Sequence, residues 1–257
     1  MSDLKKDFIK EVHAAARSRY AVEVFADMVR TMAIALESPF TLGERKAAIE
    51  AEYEQIKGRY DEDEFAHFPR ALSIVYLALE QKREDFLGHA LEELGAANTR
   101  NGQFLTPVCV SRMMAQVGLR GLETRPGEII RLSDPSCGSS VLLIEGAEKL
   151  LADGIPQRDI LLIAGDIDGR ACDISYVQLA LLGYAAVVQH ADALAMRRVS
   201  PDRFTPGWYL HGMPMRRPFR HPDGREEAPK AANVRELAQA EFDFADRTNQ
   251  RTTNDNR

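Results

Sequence analysis

Three segments constrain the fold of this chain more than any others. "GEIIRLSD" (127–134), "DILLIAGD" (159–166) and "AAVVQHAD" (185–192) each join β-favouring residues to a terminal acid. Between them lie two segments of helical periodicity, "SVLLIEGAEKLLADG" and "GRACDISYVQLALLG". Strand, helix, strand, helix, strand predicts a parallel sheet with right-handed crossovers, whose ligands sit at the carboxyl ends of the strands. Asp134, Asp166 and Asp192 should therefore gather along one edge of that sheet. The stretch "RLSDPSCGSSVLLIEGAEKL" (131–150) reads as strand, tight turn and helix, the layout at which nucleotide-type cofactors bind. Ser140 and Val141 stand where glycines would let the backbone approach a ligand most closely.

The flanks read differently. From Leu4 to about Gly95 only Pro39 and Pro69 interrupt apolar residues at helical spacing, for example Val22, Phe25, Val29, Met32 and Leu36. This predicts a helical N-terminal domain over 1–97, an α/β core over 98–195 and a third region over 196–257. In "YDEDEFAHFPR" the acids Asp61, Glu62, Asp63 and Glu64 suit a helix N-terminus better than a metal cage, and no metal site is expected. After Leu194 the alternation stops: six prolines and three glycines fall in 195–230, with no strand of convincing length. A short helix over "AANVRELAQAEFDF" and a disordered tail are expected beyond.

Composition narrows the setting. The 257 residues, 45% of them hydrophobic, can bury a sizeable core. No apolar run approaches the roughly 20 residues a membrane span needs, and the first residues carry no apolar signal core. A cytoplasmic protein without membrane contact is expected. Cys109, Cys137 and Cys172 form neither an even disulfide set nor a CxxC pair. The net charge of -6 argues against bulk attraction to nucleic acid, but it is uneven: 30 acids face 21 bases over 1–196, and 9 face 12 over 197–257. Within 197–225 of that tail Arg197, Arg198, Arg203, Arg216, Arg217, Arg220 and Arg225 face only Asp202 and Asp223, a cluster suited to DNA phosphates or to a solvated, poorly ordered segment.

Three acids after three successive strands fit S-adenosylmethionine: a turn for its methionine part, a carboxylate for the ribose hydroxyls and another for the adenine edge. A phosphate-binding loop fits less well, since there is no G-x-G-x-x-G or G-K-[ST], and a carboxylate at Asp134 would repel an anion. "DFLGHALEELGAANTRNGQFLTP", "DPSCGSSVLLIEGAEKL", "AGDIDGRACDISYVQLALLG" and "HADAL" together resemble the adenine-N6 DNA methyltransferases of the type I restriction-modification modification subunit, over about residues 84–194. The resemblance implies a partial Rossmann-like SAM-dependent methyltransferase core preceded by an α-helical domain. It also implies that Gln103, Phe104, Thr106 and Pro107 line the methionine side, that Asp134, Cys137, Gly138 and Ser139 form the turn beneath it, that Asp166 takes the ribose and that Asp192 takes the adenine. Read individually, Thr106-Pro107 could start a helix, Cys137 could fill core, and Asp134 or Asp166 could cap helices.

Two departures qualify this. Ser140 and Val141 replace the family's paired glycines, which puts cofactor affinity in doubt. The family's Asn-Pro-Pro-aromatic tetrapeptide, which accepts hydrogen bonds from the adenine amino group and stacks on the flipped base, is absent, and no fourth strand is legible. No catalytic residue is therefore assigned. His211 and Trp208 in "FTPGWYLHGM" are read as an aromatic segment folding over a bare sheet edge rather than a substitute base. The leading reading is a methyltransferase-like protein with a SAM-type pocket that cannot methylate alone and depends on a protein partner for the missing elements. The alternative is a non-catalytic accessory or regulatory module of a restriction-modification or DNA-modification system. A small-molecule or protein methyltransferase with its acceptor site in 197–230 comes third. The uncovered edge of the first strand is expected to be closed by 197–230 or by another subunit.

Overall fold

The computed structural model describes residues 3–95, 106–215 and 231–233. Helices α1 (Leu4–Ala15), α2 (Ala21–Glu37), α3 (Gly43–Lys57), α4 (Glu62–Phe65), α5 (His67–Gln81) and α6 (Phe86–Glu93) come first. Their starts follow from local chemistry. Asp61 Oδ1 accepts from Glu64 N at 2.7 Å while Glu64 Oε2 accepts from Asp61 N at 3.1 Å, a reciprocal cap that gives two of the acids of "YDEDEF" a helix-starting role. On α2 the spacing of Val24, Phe25, Met28, Val29 and Met32 buries one broad stripe.

Helix α7 (Val108–Gly118) leads into the alternating part: β1 (Ile130–Asp134), α8 (Val141–Ala152), β2 (Ile160–Asp166), α9 (Gly169–Leu181) and β3 (Ala185–Asp192). These strands pair in parallel, β1 with β2 and β2 with β3. Because the strand order advances in one direction, right-handed crossovers put α8 and α9 on the same face. One buried cluster accordingly joins Leu143, Ile144 and Leu150 of α8 and Ile174, Val177 and Leu179 of α9 to Leu132, Leu162, Ala164, Ala186 and Val188 of the strands. The same cluster continues through Phe8, Phe25, Met28 and Val75, so the N-terminal helices and the sheet share a core, with α2 packed on α9.

The region after Leu194 corrects the expectation of an irregular segment. It contains β4 (Arg197–Arg198), β5 (Arg203–Phe204), α10 (Pro206–Leu210) and β6 (Ala231–Asn233). Strands β4 and β5 pair antiparallel with β3, and β6 pairs parallel with β1. The sheet order is β4-β3-β2-β1-β6. Two- and three-residue strands are too short to show alternation in sequence; the open edges of the sheet recruit them. The helix expected from Ala231 gives way to β6 over its first three residues, and the rest of that stretch lies outside the described residues. The edge of β1 is thus covered by 231–233, just past the segment expected to cover it, whereas Arg203–Phe204 covers β3. Trp208 and Phe204 pack with Leu161, Val187 and Met213 on the second face of the sheet, so the aromatic segment covers a face where the sequence reading had it fold over a bare edge. Among the described residues no helix is long and apolar enough to cross a membrane.

Candidate functional site at the carboxyl end of the central strands

Chain order reverses at β1, with β2 on one side and β6 on the other. In open α/β sheets such a switch point opens a crevice at the strands' carboxyl ends. Asp134, the last residue of β1, is there and buried. Register sets the spacing of the three acids. Asp134 is level with Ala164 and, through it, Val188, while Asp166 is level with His190. Each acid therefore sits two residues beyond its predecessor, on the same face, and the series climbs about 13 Å along the strand direction.

The turn after β1 is fixed from several sides. Asp134 Oδ1 accepts from Ser136 N at 3.1 Å, and Cys137 N donates to Gly165 O at 2.8 Å. Gly138 adopts φ +55, and its N–H donates to Asp166 Oδ2 at 2.9 Å. Asp166 Oδ1 accepts from Asp168 N at 2.9 Å. The acid after β2 thus ties the first turn to its own loop, and further lone pairs remain on both oxygens.

Ser140 and Val141 are both buried. Ser140 takes the left-handed region at φ 69, where glycine is the usual residue, and its Oγ donates to Ser175 Oγ at 2.7 Å. Ser175 Oγ in turn donates to Gly138 O at 2.9 Å. The side chain that replaces a glycine is therefore directed into α9. Cys137 is buried, 3.4 Å from Ser175 Oγ, and burial pushes its thiol far above the ordinary range. Cys172, buried beside the carbonyl of Asp166, is pushed up to about 12. Both behave as small core residues. Among the described residues no group of three His, Cys, Asp or Glu is arranged to hold a metal.

Asp192 is placed differently from its two counterparts. It is half-buried, and its Oδ1 accepts from Leu194 N at 3.1 Å and Ala195 N at 2.9 Å, capping the loop between β3 and β4. Thr106 is half-buried, and Pro107 precedes α7 with its carbonyl accepting from Val110 and Ser111 N–H at 3.0 Å. Gln103 and Phe104 lie outside the described residues, as do Arg216, Arg217 and Arg220. Arg197 is exposed across from Asp192, and exposed Arg198 pairs with Asp202. Arg203 is buried and so is removed from the basic cluster: its Nε donates to Glu37 at 2.8 Å and its other arm to Asp173, over the ring of Tyr176.

Sequence reasoning missed the residues behind the turn: Asp85, Ser175 and Gln178. The available signal was two polar residues, Ser175 and Gln178, three apart on one face of a helix otherwise rich in buried apolar groups.

The N-6 DNA Methylase family model matches residues 82–203. No curated protein matches the chain. Among solved structures, one from Listeria monocytogenes described as a class I S-adenosylmethionine-dependent methyltransferase is similar at 12% identity and a TM-score of 0.42, over 85% of this chain and 72% of that one. The family match takes in the small-residue turn after β1, the acid closing β2 and all of β3, and it spans just under half of the chain.

Proposed function

We propose that the chain binds S-adenosylmethionine at the carboxyl end of β1 and β2 and acts in adenine-N6 methylation of DNA, without a complete catalytic set of its own. The observation that carries the reading is the 2.9 Å bond between Gly138 N and Asp166. It joins the turn and the acid closing β2 into one cradle, the two parts that would take the methionine and ribose portions of the ligand. Gly138 and Ser139 would border the methionine side, as would Thr106 and Pro107 by the family resemblance; Gln103 and Phe104, which the resemblance adds, lie outside the described residues. Asp166 has lone pairs left for ribose hydroxyls, and Asp192 keeps Oδ2 for the adenine edge. When bound, S-adenosylmethionine supplies an electrophilic methyl group. The residues of the chain contribute position and acceptors for N–H and O–H groups.

What is missing bears on the acceptor side. The strand beside β1 ends on Asn233, but Val234 and Arg235 follow where the resembled family has two prolines. The lost tetrapeptide supports dependence on a partner chain. Arg197 and Arg198, with Arg216, Arg217 and Arg220, are the proposed contacts to DNA phosphates.

Calorimetry with S-adenosylmethionine tests the pocket: binding by the wild type, weakened at least tenfold in Asp166→Ala, is expected. Labelled methyl transfer to DNA tests the rest. No incorporation is expected from the isolated chain, and incorporation that disappears in Asp134→Ala would show that it catalyses unaided. A non-catalytic module of a DNA-modification system is the second reading, favoured by the departure from the tetrapeptide. It predicts salt-sensitive DNA binding without methyl transfer under any pairing.

A further inference from the structure

Behind the turn lies a polar group that the proposed chemistry does not use. Asp85, immediately before α6, is 3% exposed. Its Oδ1 accepts from Gly88 N at 2.8 Å and from Gln178 Nε2 at 3.0 Å, and its Oδ2 accepts from Ser139 Oγ. Gln178, itself fully buried, also donates from Nε2 to Ser139 O at 2.8 Å, and its Oε1 accepts from Leu87 N at 2.9 Å. The hydroxyl and the carbonyl of Ser139 are thus both held by one pair of side chains that bridges α6 and α9.

A carboxylate in this position is costly. All its hydrogen-bond donors are neutral, and burial pushes its carboxyl above the ordinary range despite them. Simple helix capping does not require such burial, since an exposed Asp, Ser or Asn caps as well. The consequence of the arrangement is instead geometric. In a trans peptide the C=O and the following N–H point in opposite directions. Gly138 O is held towards α9 by Ser175, so the Ser139 N–H points away from α9. That N–H makes no hydrogen bond among the described residues.

We infer that Asp85 and Gln178 are positioning residues that hold Ser139 and so set the peptide geometry of the ligand-facing turn. The inference rests on the reading that this turn takes S-adenosylmethionine. It also accounts for the tolerance of Ser140 and Val141. Paired glycines form such a turn through their own freedom, whereas here side chains behind the turn impose its shape.

Two readouts on the full chain test it, one of them independent of any ligand. Amide hydrogen exchange is followed in wild type, Asp85→Ala and Asp85→Asn, and S-adenosylmethionine affinity is measured calorimetrically in all three. In Asp85→Ala, exchange across 137–142 should rise about tenfold or more while α1–α5 stay unchanged, and affinity should fall by a similar factor. In Asp85→Asn the amide oxygen still accepts from Gly88 and Gln178, and the amide nitrogen donates to the Ser139 hydroxyl. This variant should recover both readouts to within about threefold. Unchanged exchange at 137–142 in Asp85→Ala overturns the inference. So does a rise spread evenly along the chain, or an Asp85→Asn variant as impaired as the alanine one. A wild type that binds no S-adenosylmethionine sinks the functional proposal, while the positioning role is then decided by exchange alone.

Discussion

Two buried polar clusters meet on α9 and are built in opposite ways. Behind the turn, Asp85 is a single carboxylate surrounded by the neutral donors of Ser139, Gln178 and Gly88. Five residues from Gln178 towards the start of the helix, Asp173 belongs to an alternating chain of charges: Glu52, Arg30, Asp173, Arg203, Glu37 and Arg45. This second cluster carries three positive and three negative groups and links α2, α3, α9 and β5. Each charge in it has an opposite partner and the four interior ones have two, so removal of an interior member weakens the compensation on both sides. The first cluster is unbalanced and fixes only one turn. The difference suggests a division of labour, with the balanced chain holding elements together and the unbalanced clamp holding a site in shape.

Four measurements probe these clusters and the packing around them. The largest effect is expected for Arg203→Ala, which removes a buried guanidinium and takes from Glu37 and Asp173 one of their two cationic partners, leaving Arg45 and Arg30, and should cost about 3 kcal/mol in urea unfolding. A loss near zero would mean that the ionic chain only decorates the junction. Next is Gly207→Ala. A Cβ there would lie 2.4 Å from Tyr184 O, a backbone atom that cannot turn aside, so α10 must move off β3 at a cost of about 2 kcal/mol in thermal unfolding. The third measurement is the pH dependence of Asp85. Its folded value is raised, so the stability linked to this group is fully present below the unfolded value near 3.8 and is lost as pH rises through the folded value. Denaturation of wild type and Asp85→Asn from pH 4 to 7 should show the variant gaining relative stability with rising pH, while its turn geometry is retained. The smallest effect belongs to Ser140→Gly. It relieves about 1 kcal/mol of left-handed strain and loses about 1 kcal/mol from the bond to Ser175, for a net change within about 0.5 kcal/mol.

The central strands and helices were legible because each is long enough to carry its own period and ends on its own acid, as in Ile160–Asp166 and Ala185–Asp192. The edge strands were not. Arg197–Arg198, Arg203–Phe204 and Ala231–Asn233 have too few residues for a pattern and exist because β3 and β1 offer unpaired backbone groups. The same limit applied to the basic cluster. Composition grouped Arg203 with its neighbours, yet its guanidinium is buried against Glu37 and Asp173, residues 166 and 30 positions away.

The candidate site divides along the same line. Sequence alone determined the order of strands, the turn of small residues, and the acids at 134, 166 and 192, because local periodicity and chain order dictate which residues end a parallel strand. Tertiary structure decided what those residues do. It staggered the acids through the register, turned Asp192 into the cap of a hairpin, and bound Asp166 to Gly138. It also brought Asp85 and Gln178, 93 positions apart, into contact behind Ser139. Such contacts depend on helices packing face to face, and no local pattern in a single chain encodes which polar side chains will meet across that junction.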